Sequence, residues 1–181
     1  MKEEYNKITT PQELLKFMNN IEYGYLGSNQ KIYKQEDEKF DKDWYNNYVL
    51  ETKEDILRNK VGNCWDQVEL ERDWFEKNGY EIKTYFEMPL LDYKNNYPSH
   101  TFLIYKDNNK YYWFEHADLN NYGIHEYNSL EELHKDQMNK YHETLKEYNI
   151  SSEEINHITI KEYNKPENNL SAEEFINHCI N

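Results

Sequence analysis

The sequence predicts a single α+β domain, in which helices lie at both ends of the chain and a mainly antiparallel sheet lies between them. Three observations support this prediction. The length of 181 residues fits one hydrophobic core. Short segments rich in aromatic and β-branched residues are concentrated between about residues 81 and 127. Serine or threonine followed three residues later by an acidic residue, the pattern of a helix start, occurs on both sides of these segments, at Thr10, Thr52, Ser129, Ser151 and Ser171.

These helix starts predict helices over about residues 11–20, 53–59, 129–147 and 171–179, with a short helical turn after Ser151. Another helix is predicted from about Cys64 to Asn78, because Asn78-Gly79 supplies a C-terminal stop. Its core side is expected to carry three apolar residues, Trp65, Val68 and Phe75. Strands are predicted at about residues 81–86, 100–105, 111–115, 123–127 and 157–163. No repeat and no flexible linker divides the chain, so we treat residues 1–181 as one domain.

The composition argues against several classes of protein. Lys and Arg total 21 against 35 Asp and Glu, which gives a formal charge of -14 and disfavours binding to nucleic acid or to anionic membranes. A content of 16% aromatic residues, with 18 tyrosines, is not that of a disordered acidic chain. The same negative charge would suit a basic protein partner.

The two cysteines, Cys64 and Cys179, lie far apart in the sequence and form neither a disulfide framework nor a metal-binding cluster. The N-terminus lacks the basic and apolar regions of a signal peptide, and no apolar run is long enough to span a bilayer. We therefore expect a soluble, cytoplasmic protein. His116 and His125 lie near Glu115, but no HExxH or short His-x-His spacing accompanies them, so we expect neither a metal site nor another cofactor.

Cys64 is the first residue of a predicted helix, and this position favours chemical reactivity. The unpaired N–H groups and the dipole of a helix N-terminus favour the thiolate form of a cysteine, which is the nucleophile. The same N–H groups can donate hydrogen bonds to an oxyanion. Cys179, in contrast, lies near the end of a predicted helix on an apolar stripe with Phe175 and Ile176, so we expect it to be buried and unreactive.

A nucleophilic cysteine needs a base, and the base needs an acceptor that orients it. His100 begins one predicted strand and Glu115 ends the next, so their proximity depends on the turn between the two strands. A two-residue loop at Asp107-Asn108 puts His100 opposite Glu115, whereas a loop at Asn108-Asn109 makes Glu115 a diagonal neighbour on the same face. A three-residue loop would reverse the faces and bring Asp118 there instead. Glu115 is therefore the favoured acid, and Asp118 is the reserve.

These motifs resemble the transglutaminase-like branch of the papain-like cysteine enzymes. In that branch a Gly-x-Cys segment begins the central helix, a histidine begins one strand, and an acidic residue lies on the neighbouring strand, usually just after a tryptophan. The matching segments are Gly62-Asn63-Cys64-Trp65, Ser99-His100-Thr101-Phe102 and Tyr112-Trp113-Phe114-Glu115-His116-Ala117-Asp118. The resemblance covers about residues 45–127 and is strongest to small bacterial members with Gly-x-Cys-Trp-Asp and Trp-Phe-Glu segments.

The resemblance implies a papain-like α+β core, in which the helix that carries the cysteine packs on an antiparallel sheet. It also implies a Cys64-His100-Glu115 triad, although the acid of the family is usually Asp, which keeps Asp118 as the alternative. Relatives carry an aromatic or amide oxyanion donor as well. We take Trp44 and Gln67 as candidates for that donor, and Trp65 as a candidate for the wall of the substrate groove.

The residues and the resemblance together predict acyl transfer. Cys64 would attack a carboxamide or peptide carbonyl, His100 would protonate the leaving amine, and Glu115 would hold the imidazole. Water as the second nucleophile makes the protein a protease or amidase, and a lysine makes it a transglutaminase. The sequence leaves both open, and a compact chain without accessory domains favours hydrolysis. The alternative is an acidic binding or decoy module on the same scaffold, in which the cysteine is inactive.

Overall fold

The computed structural model describes the chain except for Lys39, residues 90–97, Asn149, Ser152, Glu154 and Ile155, and except for the side chains of Asp41 and Asp43. The described residues form an α+β fold with seven helices, one five-stranded antiparallel sheet and one two-stranded ribbon. The helix that begins at Cys64 packs on the five-stranded sheet.

The helices and strands have the following bounds. The helices are α1 (Lys2–Tyr5), α2 (Pro11–Met18), α3 (Phe40–Asn47), α4 (Lys53–Asn59), α5 (Cys64–Lys77), α6 (Leu130–Glu147) and α7 (Ala172–Ile180). The strands are β1 (Gly24–Leu26), β2 (Ile32–Lys34), β3 (Glu81–Pro89), β4 (His100–Asp107), β5 (Lys110–Glu115), β6 (Gly123–Tyr127) and β7 (Ile158–Tyr163). The ribbon is β1-β2, and the sheet has the order β6-β5-β4-β3-β7. Among the described helices, none combines the length and the apolar character that a bilayer span requires.

The predicted helices and strands that fall on described residues are confirmed, with boundaries that shift by a few residues. The helix starts are correct because each N-cap side chain accepts a hydrogen bond from the backbone N–H three residues later, as Thr10, Thr52, Ser129 and Ser171 do. The helical turn expected after Ser151 lies largely outside the described residues. Helices α1 and α3 and the β1-β2 ribbon were not predicted, because they are short and carry no clear capping or alternation pattern.

One face of the sheet packs against α5 through aromatic rings. Phe75 stacks on Tyr105 of β4 with ring centroids 4.6 Å apart, and it meets Phe114 of β5 edge-on at 5.4 Å. Trp65 lies 6.0 Å from Phe86 of β3 and is 1% exposed. The expected core side of α5 is therefore confirmed, and this face forms the main hydrophobic core.

The opposite face of the sheet packs against α6. His134 of α6 lies edge-on to Tyr85 of β3 with ring centroids 4.7 Å apart, and Lys140 places its Nζ 5.1 Å from the centre of the Trp113 ring on β5. Leu133 is fully buried with these aromatic residues in a second apolar cluster. Side chains of a strand alternate between the two faces, so each residue of β3, β4 and β5 is assigned to the α5 side or to the α6 side.

The turn between β4 and β5 is the two-residue loop Asn108-Asn109. Asp107 pairs with Lys110 across the hairpin, and both loop residues have positive φ, 47° and 62°. This is the conformation of a tight hairpin turn that matches the twist of the strands, and asparagine tolerates it well. The second of the two even-membered loops is thus confirmed, and the register leaves Glu115 diagonal to His100 on one face.

Candidate active site

Cys64 begins α5 directly after a reciprocal helix cap. Asn63 Oδ1 accepts hydrogen bonds from the N–H groups of Trp65, at 2.9 Å, and Asp66, at 3.3 Å, while Asp66 Oδ2 accepts one from the Asn63 N–H at 3.0 Å. A Cβ atom at Gly62 would lie 3.0 Å from the Asp66 Cβ, which explains the glycine of the Gly-x-Cys segment. The cap fixes the start of the helix and so the position of the thiol.

Two contacts join the start of α5 to the start of β4. Thr101 Oγ1 donates a hydrogen bond to the Cys64 carbonyl oxygen at 2.7 Å. The Cys64 Sγ lies 3.9 Å from the carbonyl oxygen of Ser99, to which it donates a weak hydrogen bond. The thiol therefore lies beside the residue that precedes His100.

His100 and Glu115 form a direct side-chain pair at the same end of the sheet. The Nε2 of His100 lies 2.7 Å from Oε2 of Glu115, and the Glu115 side chain is 2% exposed. His100 stacks with Phe102 at 6.4 Å, and both residues belong to the face of the sheet that packs on α6. Glu115 binds the imidazole through Nε2, which leaves Nδ1 as the ring nitrogen free for another partner.

The charges around His100 favour its protonated form. Burial alone lowers the pKa of a histidine, but the Glu115 carboxylate and a side-chain hydrogen bond with Cys64 raise the pKa of His100 well above its ordinary value. A protonated imidazole next to a thiol stabilises the thiolate, because the two opposite charges attract each other. The Glu115 carboxylate therefore favours the imidazolium form of His100.

Glu115, and not Asp118, contacts the histidine. The second oxygen of Glu115, Oε1, accepts a hydrogen bond from the Asp118 N–H at 2.8 Å. The Asp118 carboxylate instead closes its own turn, since Oδ1 accepts from the Asn120 N–H at 3.0 Å and Oδ2 accepts from the Asn121 side chain at 2.7 Å. The reserve acid therefore holds the loop that follows β5, and this loop in turn holds Glu115.

Tyr23 is a site residue that the sequence did not reveal. Its hydroxyl lies 3.9 Å from the Cys64 Sγ and donates to it. A short parallel bridge between Glu22 and Val61 brings this tyrosine next to the Gly-x-Cys segment. Since Asn63 already binds the N–H groups of Trp65 and Asp66, Tyr23 is a polar donor that the fold places beside the sulfur. No local pattern distinguishes it, because the chain contains 18 tyrosines.

The three residues proposed for the oxyanion donor and the groove have other roles in their described contacts. Trp65 is 1% exposed and stacks on Phe175 at 4.6 Å, so its ring belongs to the core and cannot line a groove. Gln67 is also 1% exposed, and its Nε2 donates to the Gly62 carbonyl oxygen at 2.8 Å. Trp44 packs edge-on to Trp65 at 5.3 Å. Trp65 and Gln67 thus fill or brace the core, whereas Trp44 is only partly buried and stays a candidate.

The two histidines considered for a metal site bind other groups. His116 Nδ1 lies 2.6 Å from Gln67 Oε1, and its Nε2 lies 3.3 Å from Asn19 Oδ1. His125 Nε2 lies 2.8 Å from the Asn121 carbonyl oxygen. In the part of the chain that the structure describes, no group of three or more His, Cys, Asp and Glu side chains has an arrangement that could hold a metal ion.

Two further buried acids lie near His100. Glu71 of α5 is 2% exposed, and Glu87 of β3 is fully buried. Burial first, and the nearby Glu115 next, raise the pKa of Glu71 well above its ordinary value. Burial also raises the pKa of Glu87, to about 8, while the charge of His100 opposes this rise. The histidine is thus surrounded by carboxyl groups that belong to three different elements.

Comparison with known proteins assigns no function to this site. Neither a scan against protein-family models nor a search of curated proteins found a match to the chain. Any function assigned to the site must therefore be argued from its residues, contacts and charges.

Proposed function

We propose that the protein is a cysteine-dependent acyl-transfer enzyme on a transglutaminase-like, papain-like fold, with Cys64 as nucleophile, His100 as acid and base, and Glu115 as the residue that orients His100. The hydrogen bond of 2.7 Å between His100 Nε2 and Glu115 Oε2, beside the thiol at the start of α5, is the observation that carries the proposal. A nucleophile, a base and an orienting acid in contact are the arrangement that acyl transfer requires.

The reaction proceeds through a thioester. The Cys64 thiolate attacks the carbonyl carbon of an amide, a carbon–sulfur bond forms, and the carbonyl electron pair moves to the oxygen. The Tyr23 hydroxyl is the donor beside the sulfur that can bind this oxyanion. The His100 imidazolium then gives its proton to the amine nitrogen, and the carbon–nitrogen bond breaks. A second nucleophile transfers its proton to His100, attacks the thioester and releases Cys64.

The substrate class is a peptide or carboxamide, and hydrolysis is the reaction we favour. Water needs no second binding site, whereas transamidation needs a site for the amine donor as well. We also propose a reducing, cytoplasmic setting, since Cys64 and Cys179 are both free thiols. The charge of -14 favours a basic peptide or protein as substrate or partner.

Selective alkylation of the two cysteines tests the proposal. Burial raises the pKa of the Cys179 thiol, so this residue is the matched internal control for Cys64. With iodoacetamide at about pH 6, we expect Cys64 to react at least about tenfold faster than Cys179, and the His100→Gln variant to lose this difference. Mass spectrometry of the intact and digested protein measures both rates. Equal labelling of the two cysteines, or faster labelling of Cys179, contradicts the proposal.

The competing function is an acidic binding module with an inactive cysteine, which the charge of -14 favours. An inactive Cys64 would react slowly with iodoacetamide, and its rate would not depend on His100. The same experiment therefore separates the two functions. Incubation with peptide amides, followed by detection of a Cys64 thioester, then identifies the substrate if the site is active.

A further inference from the structure

Glu87 is the register partner of His100 on β3, the strand that borders β4 on the side away from Glu115. In the pairing of β3 with β4, Glu87 is directly opposite His100. Residues opposite each other in antiparallel strands point to the same face, with Cβ atoms about 4.5–5.5 Å apart. Glu115 reaches the imidazole from β5, which is the strand on the other side of β4. The histidine therefore has a carboxyl group on each of its two neighbouring strands.

The Glu87 carboxyl group is held in place and kept from water. The residue is fully buried, and its Oε1 accepts a hydrogen bond from Gln137 Nε2 of α6 at 2.6 Å. Gln137 is itself 1% exposed. Among the described residues, no hydrogen-bond partner meets the other oxygen of Glu87, Oε2. A buried carboxyl oxygen without a partner is costly, so a neutral or apolar residue would serve the fold better at this position.

The groups around Glu87 explain how it responds to pH. Its titratable neighbours from the surrounding elements are His100 of β4, Glu115 at the end of β5, Asp118 in the next loop, and Tyr141 of α6, whose hydroxyl donates to the Glu87 carbonyl oxygen at 3.4 Å. On β7 its partner is the apolar Ile160. The pKa of Glu87 is raised to about 8: burial is the largest cause, Glu115 and Asp118 add to the rise, and the positive charge of His100 and the Gln137 hydrogen bond oppose it.

We propose that Glu87 is a positioning residue for His100, a second carboxyl group that Gln137 holds against the imidazole from β3 while Glu115 binds it from β5. Glu87 is mainly protonated at neutral pH and becomes charged as the pH rises through about 8. Its new charge then adds to that of Glu115 and keeps the proton on His100. The thiolate–imidazolium pair, and with it the proton for the leaving amine, therefore persists to a higher pH.

A histidine titration by NMR tests this role without any substrate. The His100 signal is assigned by its loss in the His100→Gln variant. In Glu87→Gln, which keeps the acceptor for Gln137, we expect the pKa of His100 to fall by about half a unit or more. The matched control is Glu51→Gln, which removes another buried carboxyl group whose charged neighbours are Asp66 and Asp55, and which should move the His100 pKa less. Equal shifts in the two variants, or no shift in Glu87→Gln, overturn the proposal.

The activity profile gives a second readout, which rests on the proposed function. The alkaline limb of kcat/KM should move to lower pH in Glu87→Gln, so that the rate at about pH 9 falls about threefold or more, while the acid limb stays in place. A variant that merely loosens the fold would lower both limbs.

If Glu87→Gln does not fold, Gln137→Leu should shift the His100 pKa in the same direction, because Glu87 then ionises at higher pH. An unreactive Cys64 would overturn the proposed function and leave the NMR result standing.

Discussion

Glu115 uses both of its carboxylate oxygens, so we expect glutamine to be a poor substitute there. Oε1 accepts the Asp118 N–H and Oε2 faces His100 Nε2. In Glu115→Gln the amide oxygen is held by the Asp118 N–H, so the NH₂ group faces Nε2 and drives the imidazole proton to Nδ1. Nδ1 can then no longer take the proton of the thiol. We expect kcat to fall about a thousandfold with the fold intact, as measured by turnover and circular dichroism.

Asp118→Asn is the matched control for that substitution. Its backbone N–H still donates to Glu115, and an asparagine oxygen can still cap the turn at Asn120. We expect a change in kcat of about threefold or less. A large loss in Asp118→Asn with a small loss in Glu115→Gln would move the orienting role to Asp118.

Tyr23 offers a separate test of the chemical step. Its hydroxyl is 3.9 Å from the Cys64 Sγ, and in the proposed reaction it binds the oxyanion. Removal of one oxyanion donor commonly costs about a hundredfold in kcat, so Tyr23→Phe should lower turnover by about ten- to a hundredfold. Alkylation of Cys64 forms no oxyanion and should keep its rate. Loss of alkylation in Tyr23→Phe would instead give the tyrosine a role in thiol ionisation.

At the scale of whole elements, the hairpin of β4 and β5 determines the position of His100 relative to Glu115. Asn109 occupies the left-handed region, with φ of 62°. Asn109→Val should destabilise the protein by about 1–2 kcal/mol, because a β-branched side chain is strained there, whereas Asn109→Gly should be close to neutral. Urea denaturation measures both values. If valine is tolerated as well as glycine, the turn has another conformation in solution.

The sequence predicts elements where their signal is local. The capping residues Thr10, Thr52, Ser129 and Ser171 identify helix starts because the stabilising hydrogen bond spans only three residues. The parity of the Asn108-Asn109 loop likewise decides which face Glu115 occupies, although the sequence alone did not choose between two loops of the same parity.

Tertiary contacts explain what the sequence could not predict about the site. Tyr23 comes to Cys64 through a bridge between Glu22 and Val61, and Glu87 comes to His100 through strand pairing. The residues next to Tyr23 and Glu87 in the sequence form no pattern that indicates a catalytic site. Trp65 was assigned both to the core and to the groove, and only its packing against Phe175 decides for the core.

The whole molecule contains several buried acids, which predicts an unusual dependence of stability on pH. Burial raises the pKa of Glu51 to about 9, of Asp66 to about 7 and of Glu87 to about 8. The native state therefore holds protons that the unfolded chain releases at about pH 4, so these groups stabilise the fold fully below that pH. Their contribution is lost as the pH rises through the native values. We expect the free energy of unfolding to fall by at least about 2 kcal/mol between pH 6 and 9.

His116 has the opposite effect on stability, and it acts at acid pH. Burial lowers its pKa to about 4, so the unfolded chain binds a proton on this residue at higher pH than the native state does. This contribution of His116 to stability is lost as the pH falls from about 6.5 to about 4. Between these values the three raised carboxyl pKa values outweigh the one lowered histidine pKa, so we expect maximum stability at about pH 4 to 5. Urea titrations across this range give the curve, and a maximum above about pH 8 contradicts the assignment.

Two variants test which acid is responsible. Glu51→Gln should flatten the alkaline decline, because Glu51 is 2% exposed and Asn59 Nδ2 donates to its Oε2 at 3.0 Å. Glu167→Gln removes an exposed carboxylate and should leave the slope unchanged. The same slope in both variants would assign the decline to the overall charge instead of to buried groups.

The position of β7 has a consequence for the growing chain. Strand β3 is covered on one edge by β4 and on the other by β7, and the hydrogen bond from Thr84 Oγ1 to the Tyr163 carbonyl oxygen spans 79 residues. Until β7 is synthesised, the free edge of β3 can pair with strands of other molecules and begin aggregation. Once it is docked, β7 presents exposed Lys161 and Glu162 at the sheet margin, and such charges oppose further strand addition. Strand β7, once docked, thus protects the sheet against pairing with strands of other molecules.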